Sequence, residues 1–415
     1  MFNTLYRCPR TIARHENGPL AESRRRYLEY LAAQGAAIHT IRAAAGVIYR
    51  ATILMKLDGS SPVERKNVQR AAKRWAHRWY RNASSRGPEQ TDKEFRQTTC
   101  NWLRFAGRLR ESDRVTPPHQ QEIDALCRYM EVERGLSPAT IATQRHYLKK
   151  FFKHTKRKQL ISIRIADVER FFVFLGKEGW TRAGIRGIAH YLRMFFRYGE
   201  QMGSTKPGIA DAIRGPRVYQ HEQLPLGPSW ADVQRLLAST ETNRKADIRD
   251  RPILLLLAVY GLRVGEVQRI RLEDINWEQK TISITATKQH RCARVCPLIP
   301  SVADAIARYI REARPQRADC REIFLRLNAP RRPFRHGGLY GIVATRFKRL
   351  GIKSPRAGPH CLRHACATHL LSQGLTLTEV GGHLGHRSLD STRVYAKVDM
   401  PALREVADLD LGGLL

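Results

Sequence analysis

Apolar side chains recur every three or four residues along most of this chain, and this spacing predicts helices rather than strands. In the first part, the spacing is clear in "RRRYLEYLAAQG" (24–35) and "NVQRAAKRWAHRWYRNAS" (67–84). The segment "TPPHQQ" (116–121) then interrupts it, and proline before a new periodic run marks a boundary. We therefore predict an additional helical N-terminal domain over residues 1–115.

The rest of the chain divides into a second helical block, a linker and a mixed block. Residues 119–203 show helical spacing, with Ser137 and Pro138 as N-cap and first-turn residues of one helix. Residues 204–228 are rich in proline and glycine and predict an inter-domain linker. Residues 229–415 contain one predicted β-hairpin among further helices. The predicted fold class is mostly α with a small β-sheet, that is, α+β.

Short sequence matches relate the two helical blocks. Gly35, Thr40 and Ile41 recur as glycine, threonine and isoleucine at an offset of 100 residues. Such a recurrence is typical of a duplicated module, although matches this few also arise by chance. The N-terminal domain is therefore a possible duplicate of the second block.

The charge of the chain narrows the class of its partners. Its 415 residues carry 73 lysines and arginines against 38 acidic residues, a net charge of +35. This excess predicts a polyanionic partner and favours nucleic acid over a membrane surface. The apolar run "PILLLLAVY" (252–260) is about half the ~20 residues that span a bilayer. Eight scattered cysteines and the lack of a recognisable export signal predict reduced thiols and a cytoplasmic location.

The predicted helix that follows Ser137 combines cations with aromatic residues. Inward aromatic and outward cationic side chains suit a helix that lies on a phosphate backbone, but any solvated amphipathic helix shows the same pattern. The candidate DNA-binding residues here are Arg145, Lys149, Lys150 and Lys153.

Charged side chains also occupy places in the last block where apolar residues are expected. In "GLRVGE" (261–266), Arg263 precedes Glu266 by three residues, a spacing that permits an ion pair on a helix. The hairpin "TISITAT" (281–287) to "ARVCPLI" (293–299) carries Lys288 after its first strand. The remaining candidates are His360, Arg363 and His364 in "HCLRH", His386 in "LGH", and Tyr395.

This set of side chains suits chemistry at a phosphodiester. Arginine forks match pairs of phosphate oxygens and stabilise the charge that develops there. A tyrosine can attack phosphorus and hold a covalent intermediate. Because side chains supply the cations, the chemistry requires no metal and no other cofactor.

The order of these motifs resembles the tyrosine recombinase (phage integrase) family, of mobile-element type, over about residues 229–398. The resemblance implies a helical core-binding (SAM-like) DNA-binding domain over 119–203 and a catalytic domain with a C-terminal tail over 229–415. It implies a site-specific DNA recombinase that cleaves and rejoins strands of double-stranded DNA, for integration, excision or transposition of a mobile element.

The resemblance also implies a role for each matched residue. Tyr395 would attack the scissile phosphate and form a 3′-phosphotyrosyl bond. Arg263 and Arg363 would hold the non-bridging oxygens. Glu266 and His364 would be supporting residues that orient Arg263 and the helix start.

Three further roles concern proton transfer and hydrogen bonding. Lys288 would protonate the leaving oxygen, with Arg291 and Arg294 as competitors for that place. His360 would serve the nucleophile as general base or hydrogen-bond partner. His386 would donate to the phosphate.

Several alternatives stay open at this point. A structural zinc site near the cysteines of the hairpin and of "HCLRH" lacks the C-x₂-C spacing, so we expect no metal. The alternatives to recombination are DNA relaxation by a type IB topoisomerase and a non-cutting DNA-binding regulator. Strand exchange implies a homotetramer on two DNA sites, or partner recombinases. The tail "PALREVADLDLGGLL" (401–415) could dock on a neighbouring subunit or on its own domain.

Overall fold

The computed structural model describes residues 1–59, 61–80, 87–110, 118–157, 159–219, 227–285, 294–315, 320–334, 337–354, 357–386 and 390–396. These residues are mainly helical and include two small β-sheets, so the predicted α+β class is confirmed. In this part of the chain, no helix combines the length and the apolar character needed to cross a membrane.

The backbone contacts divide the chain into two compact units. The first contains residues 1–61, 68–108 and 223–415, and the second contains residues 62–67 and 109–222. The first unit thus includes most of the N-terminal block together with the last block, which the sequence predicts as separate domains. Within it, the guanidinium of Arg331 lies against the backbone at Gly35.

The N-terminal block is a set of helices with one short strand pairing. Its helices are α1 Phe2–Leu5, α2 Pro9–Glu16, α3 Ala21–Ala33, α4 Ile38–Leu54, α5 Arg65–Tyr80 and α6 Pro88–Phe105. Strands β1 Val63–Glu64 and β2 Leu109–Arg110 pair in parallel. The two periodic stretches quoted for this block correspond to α3 and α5. Small side chains of α4 and α5 pack on Phe95 of α6.

The second unit is built around an aromatic core. Its helices are α7 Gln120–Val132, α8 Pro138–Thr155, α9 Ile165–Lys177, α10 Arg182–Gln201 and α11 Ile209–Ala212. The ring of Phe151 meets those of Phe171 and Phe196 edge-on at 5.3 and 6.1 Å. Ile209 and Ile213 are buried in the same core. Part of the predicted linker therefore belongs to this unit, because its apolar residues find a core to pack against.

The last block surrounds the apolar run that the sequence shows near its middle. Its helices are α12 Trp230–Ala238, α13 Lys245–Ala258, α14 Val264–Arg269, α15 Pro300–Glu312, α16 Gly338–Leu350, α17 Pro359–Ser372, α18 Leu377–Leu384 and α19 Asp390–Arg393. The end of α13 is fully buried and forms the centre of the core.

A three-stranded antiparallel sheet packs on this core. Its strands, in sheet order, are β3 Ile275–Asn276, β4 Thr281–Ile284 and β5 Arg294–Pro297. The predicted hairpin is confirmed, with Ile282 opposite Cys296. Its connection, residues 286–293, lies outside the described residues.

Candidate active site

Helix α17 carries the "HCLRH" stretch and buries most of it. Gly358 is the N-cap and Pro359 opens the first turn, where its missing N–H costs nothing. Cys361, Leu362 and Ala365 face the core of the last block. Arg363 lies among these residues on the same helix and is also buried, with 2% of its surface exposed.

Arg363 is held by two backbone carbonyls rather than by a carboxylate. Its Nη1 donates to the carbonyl oxygen of Gly261, and its Nη2 donates to that of Leu384 at 2.8 Å. Burial, with the nearby charge of Arg263, lowers the pKa of Arg363 to about 10, so the group stays cationic at neutral pH. Gly261 has φ +57°, and a Cβ there would collide with Leu384. Glycine at this turn therefore lets Leu384 at the end of α18 pack closely against it, next to the carbonyl oxygen that Arg363 bonds.

Arg263 is oriented by Glu266, as the i, i+3 spacing suggested. The carboxylate accepts from the backbone N–H of Arg263 at 2.8 Å and from its Nη1 at 3.0 Å. Glu266 is buried, whereas about a third of the Arg263 side chain is exposed. One edge of the guanidinium is thus fixed by the carboxylate while the side chain remains within reach of solvent.

Tyr395 is buried beside the arginines. It is 2% exposed, and burial raises the pKa of its hydroxyl to about 12, although Arg363 and Arg263 pull it down. The hydroxyl lies 2.9 Å from Nδ1 of His364. A phenol with this pKa is protonated at neutral pH, so it needs a base to become a nucleophile.

The histidine that touches the tyrosine differs from the one expected. His360 was assigned to the nucleophile, whereas the structure places His364 there. The two rings are four residues apart on one helix face and meet edge-on at 4.4 Å between centroids. Tyr395 meets the later of the two, and His360 is exposed at the helix start.

His386 follows α18 and is fixed by a residue that the sequence did not single out. Gly385 ends the helix with φ +65°, and Nδ1 of His386 lies 2.7 Å from Oγ1 of Thr392. Burial and the nearby arginines lower the pKa of His386 to about 4. The ring is therefore neutral at pH 7. The signal for Thr392 was its position three residues before Tyr395, with a hydroxyl able to bond a ring nitrogen.

Two side chains form hydrogen bonds to backbone carbonyls between the end of α18 and the rest of the block. Arg294 of β5 donates to the carbonyl oxygens of Gly382 and His383. His383, which had no expected role, lies with Nε2 2.9 Å from the carbonyl oxygen of Val259. The other two candidates for the hairpin acid, Lys288 and Arg291, lie outside the described residues.

The cysteines near the site are buried thiols. Cys361 donates to the carbonyl oxygen of Gly358 at 2.8 Å, and burial raises its pKa. Burial raises the pKa of Cys366 to about 12. Within the described ranges, no group of histidine, cysteine and acidic residues is arranged to hold a metal ion.

The four cations predicted for DNA binding lie on α8 of the second unit in two different environments. Arg145 and Lys150 have acidic partners, Asp124 at 3.3 Å and Glu178 at 3.0 Å. Lys150 also lies over the ring of Trp180, 4.8 Å from its centroid. Lys153 is exposed and Lys149 is half-buried, and neither forms an ion pair with another described residue.

Comparison with known sequences places the last block in a family. Residues 230–401 match the model of the phage integrase family. The chain is 35% identical over 293 residues to the Sinorhizobium fredii protein y4rA, a putative integrase/recombinase. The alignment covers 69% of this chain and 70% of y4rA. It is 30% identical over 290 residues to the tyrosine recombinase XerD of Listeria monocytogenes, with 68% of this chain and 96% of XerD covered.

Solved structures share the fold. The XerH site-specific recombinase bound to a palindromic difH substrate aligns with a TM-score of 0.53 at 18% identity, over 85% of this chain and 98% of XerH. A lambda integrase (75–356) dimer bound to a COC′ core site aligns with a TM-score of 0.53 at 17% identity, over 66% and 94%. These relatives favour recombination over the topoisomerase and the non-cutting alternatives. The chain belongs to the phage integrase family of tyrosine recombinases, which cleave and rejoin DNA.

Proposed function

We propose that Tyr395 is the nucleophile of a site-specific recombinase of mobile-element type, and that Arg263 and Arg363 stabilise the phosphate it attacks. The tyrosine oxygen forms a bond to phosphorus while the bond to the 5′ oxygen breaks, which gives a 3′-phosphotyrosyl linkage and a free 5′-hydroxyl. The observation that carries this proposal is that the Tyr395 hydroxyl, His364 and both arginines lie close together, with Tyr395 and Arg363 buried.

The proton of the nucleophile passes to His364 in this mechanism. Its Nδ1 is the nitrogen in contact with the hydroxyl, at 2.9 Å. His386 is neutral at pH 7 and donates a hydrogen bond to a phosphate oxygen without adding charge. The proton for the leaving 5′ oxygen comes from the hairpin, where Lys288 remains the proposed acid.

The nucleophile has to leave its buried position before it can reach DNA. At 2% exposure, the Tyr395 hydroxyl cannot touch a phosphate of a duplex. Tyr395 therefore has to move when DNA binds, and proton transfer to His364 requires that the hydroxyl stays within hydrogen-bond reach of Nδ1 during this movement. Phosphate contacts by the two arginines favour the exposed position, so DNA binding and exposure of the tyrosine are coupled.

The test of this function is covalent trapping. The protein is mixed with a nicked duplex that spans the ends of its own genetic element, and the products are separated in SDS. We expect an SDS-resistant protein–DNA band whose DNA carries a new 5′-hydroxyl. Salt-dependent DNA binding with no covalent band on any such duplex would contradict the proposal.

Replacing His364 should slow cleavage more than replacing His360. We expect His364→Ala to reduce the rate of adduct formation by about 10²–10⁴-fold, the usual contribution of a general base. The pH–rate profile should also lose its acid limb, because that limb reports protonation of the base. A larger effect of His360→Ala, with the acid limb unchanged in His364→Ala, would return the role to His360.

We propose that the second unit binds DNA by contacts between side chains of α8 and backbone phosphates. Lys149 and Lys153 are its main contacts, because Arg145 and Lys150 already have acidic partners. The double variant Lys149→Ala/Lys153→Ala should lower the slope of log affinity against log salt by about 1.8, at ~0.9 per phosphate contact.

A matched control removes the same charge elsewhere on this unit. Lys177 and Lys206 are exposed residues, and Lys177→Ala/Lys206→Ala should leave the salt slope unchanged. Equal slopes for both double variants would exclude a specific role for α8.

We propose further that the active assembly is a tetramer on two DNA sites. Exchange requires cleavage of two strands in each of two duplexes, and each chain carries one Tyr395. The related λ integrase was solved as a dimer on its core site, and XerH was solved on its substrate. Partner recombinases could fill part of the assembly, and an enzyme of this kind would work at the bacterial nucleoid. The tail proposed to dock on a neighbour, 401–415, lies outside the described residues.

A further inference from the structure

Helices α3 to α6 repeat helices α7 to α10 element by element. Each series begins after a residue with positive φ, Leu20 at 54° and His119 at 59°. The first helix of each series is followed by a glycine with positive φ, Gly35 or Gly135, and the last by another, Gly107 or Gly203. The second and third helices begin at an offset of 100 residues, at Ile38 and Pro138 and at Arg65 and Ile165.

The buried positions also coincide between the two series. This agreement is more specific than shared helix length, because a register shift of one residue turns a helix by about 100°. Each helix keeps one offset: the coinciding buried pairs are Tyr27/Leu126 and Leu28/Cys127 at 99 residues, Ile41/Ile141, Ala44/Gln144, Ile48/Leu148, Ala51/Phe151, Thr52/Phe152, Val68/Val168 and Ala71/Phe171 at 100 residues, and Thr99/Phe195 and Cys100/Phe196 at 96 residues.

Core composition explains why few residues match in sequence. The Phe151–Phe171 contact of the second series corresponds to Ala51 and Ala71 in the first. Small residues fill the core of the first series where large rings fill the second. Position, rather than residue type, is retained, as expected for a diverged duplicate.

The cations of the two copies lie on different helices. Helix α8 carries four basic and no acidic residues, whereas its counterpart α4 carries two basic residues. One of those two, Arg50, lies 4.7 Å from the ring centroid of Trp75. Helix α5 carries six basic and no acidic residues, whereas its counterpart α9 carries two of each sign.

The basic residues of α5 include a row on one exposed side. Lys66, Arg70, Lys73 and His77 are exposed and follow i, i+4, i+7, i+11 spacing, which defines the α5 face. Lys66 pairs with Glu64 at 2.7 Å. Arg70 and Lys73 form no ion pair with another described residue. The row extends over about 16 Å of helix axis, and duplex DNA presents one charge per ~1.7 Å.

We propose that the N-terminal block is a second copy of the core-binding module whose α5 face binds the phosphate backbone of duplex DNA. In this copy the third helix, α5, carries most of the cations, whereas in the other module the second helix, α8, carries them. It therefore contacts DNA through a different face from the module that holds α8. The proposal depends on the proposed function for one assumption, that the polyanion is DNA. It adds DNA contacts beyond those at the core site.

The test measures salt-dependent binding of the full-length chain to a random-sequence duplex of about 40 base pairs, between about 50 and 200 mM salt. We expect Arg70→Gln/Lys73→Gln to lower the slope of log affinity against log salt by about 1.8. The charge-retaining variant Arg70→Lys/Lys73→Arg should keep the wild-type slope.

A matched control removes two exposed cations from other helices of the same copy, Arg26→Gln/Lys93→Gln. We expect this variant to bind with the wild-type slope. An unchanged slope in Arg70→Gln/Lys73→Gln, or an equal fall in the control, would overturn the proposal. Failure of the proposed function would show instead as a wild-type protein that forms no covalent adduct, whatever its salt slope.

Discussion

Tyr395→Phe should abolish the SDS-resistant protein–DNA adduct. The substitution removes the oxygen that bonds to phosphorus and leaves the ring in its place. Loss of a covalent nucleophile reduces turnover by on the order of 10⁶-fold, which is below detection in a trapping assay. The measurement is adduct formation by the wild type and the variant on the same nicked duplex.

The variant should remain folded and bind DNA. Among the described residues, the contact that it loses is the hydrogen bond between the hydroxyl and His364, a cost of about 1 kcal/mol. Tyr340→Phe is the matched control, since Tyr340 is 53% exposed on α16 and loses the same hydroxyl. We expect the control to form the adduct at the wild-type rate. An adduct that survives in Tyr395→Phe would place the nucleophile at another residue.

Arg363→Lys should impair both cleavage and stability. Lysine keeps the charge but has no planar fork, so it cannot bond both carbonyls and also face a phosphate. We expect the rate of adduct formation to fall by about 10²–10³-fold, the cost of one lost donor to a developing oxyanion. We also expect the free energy of unfolding to fall by about 1–3 kcal/mol, because the carbonyl of Gly261 or Leu384 loses its donor.

A second buried arginine separates the two effects. Arg346 of α16 donates to Asp247 at 2.6 Å and to Asp250 at 2.7 Å within the core of the same block. Arg346→Lys should lower stability in urea while the folded fraction cleaves at the wild-type rate. Equal rate losses in Arg346→Lys and Arg363→Lys would mean that Arg363 acts through stability alone.

The helical register could be predicted from local sequence because it depends on local forces. Residues 119–203 show helical spacing in the sequence, and on α7 that spacing buries Ile123 and Leu126 on one side of the helix. The N-cap at Ser137 accepts from the backbone N–H of Thr140 as its sequence position implied. The hairpin of β4 and β5 forms at the predicted place, and alternate residues of β4, Ile282 and Ile284, are buried.

The partner of Tyr395 could not be predicted in the same way. His360 and His364 are four residues apart on α17 and present the same chemistry, so spacing does not choose between them. Which histidine meets Tyr395 depends on how α19 and the residues after it pack against α17. Tyr395 and His364 are 31 positions apart in the sequence. Thr392 was missed for the same reason, since its hydroxyl matters only once α18 places His386 beside it.

By itself, the sequence determined the residue types, their order and the helices that carry them. Net charge predicted a polyanionic partner, and the resemblance of the motif order to the tyrosine recombinase family implied a DNA strand-joining enzyme, because neither property depends on the distances between segments. Only the tertiary structure decided which groups meet. Arg363 bonds the carbonyl of Gly261 across 102 residues, and the burial of Tyr395 and His386 changes their pKa values. Long-range packing sets these contacts and the local polarity, and no short window of sequence contains it.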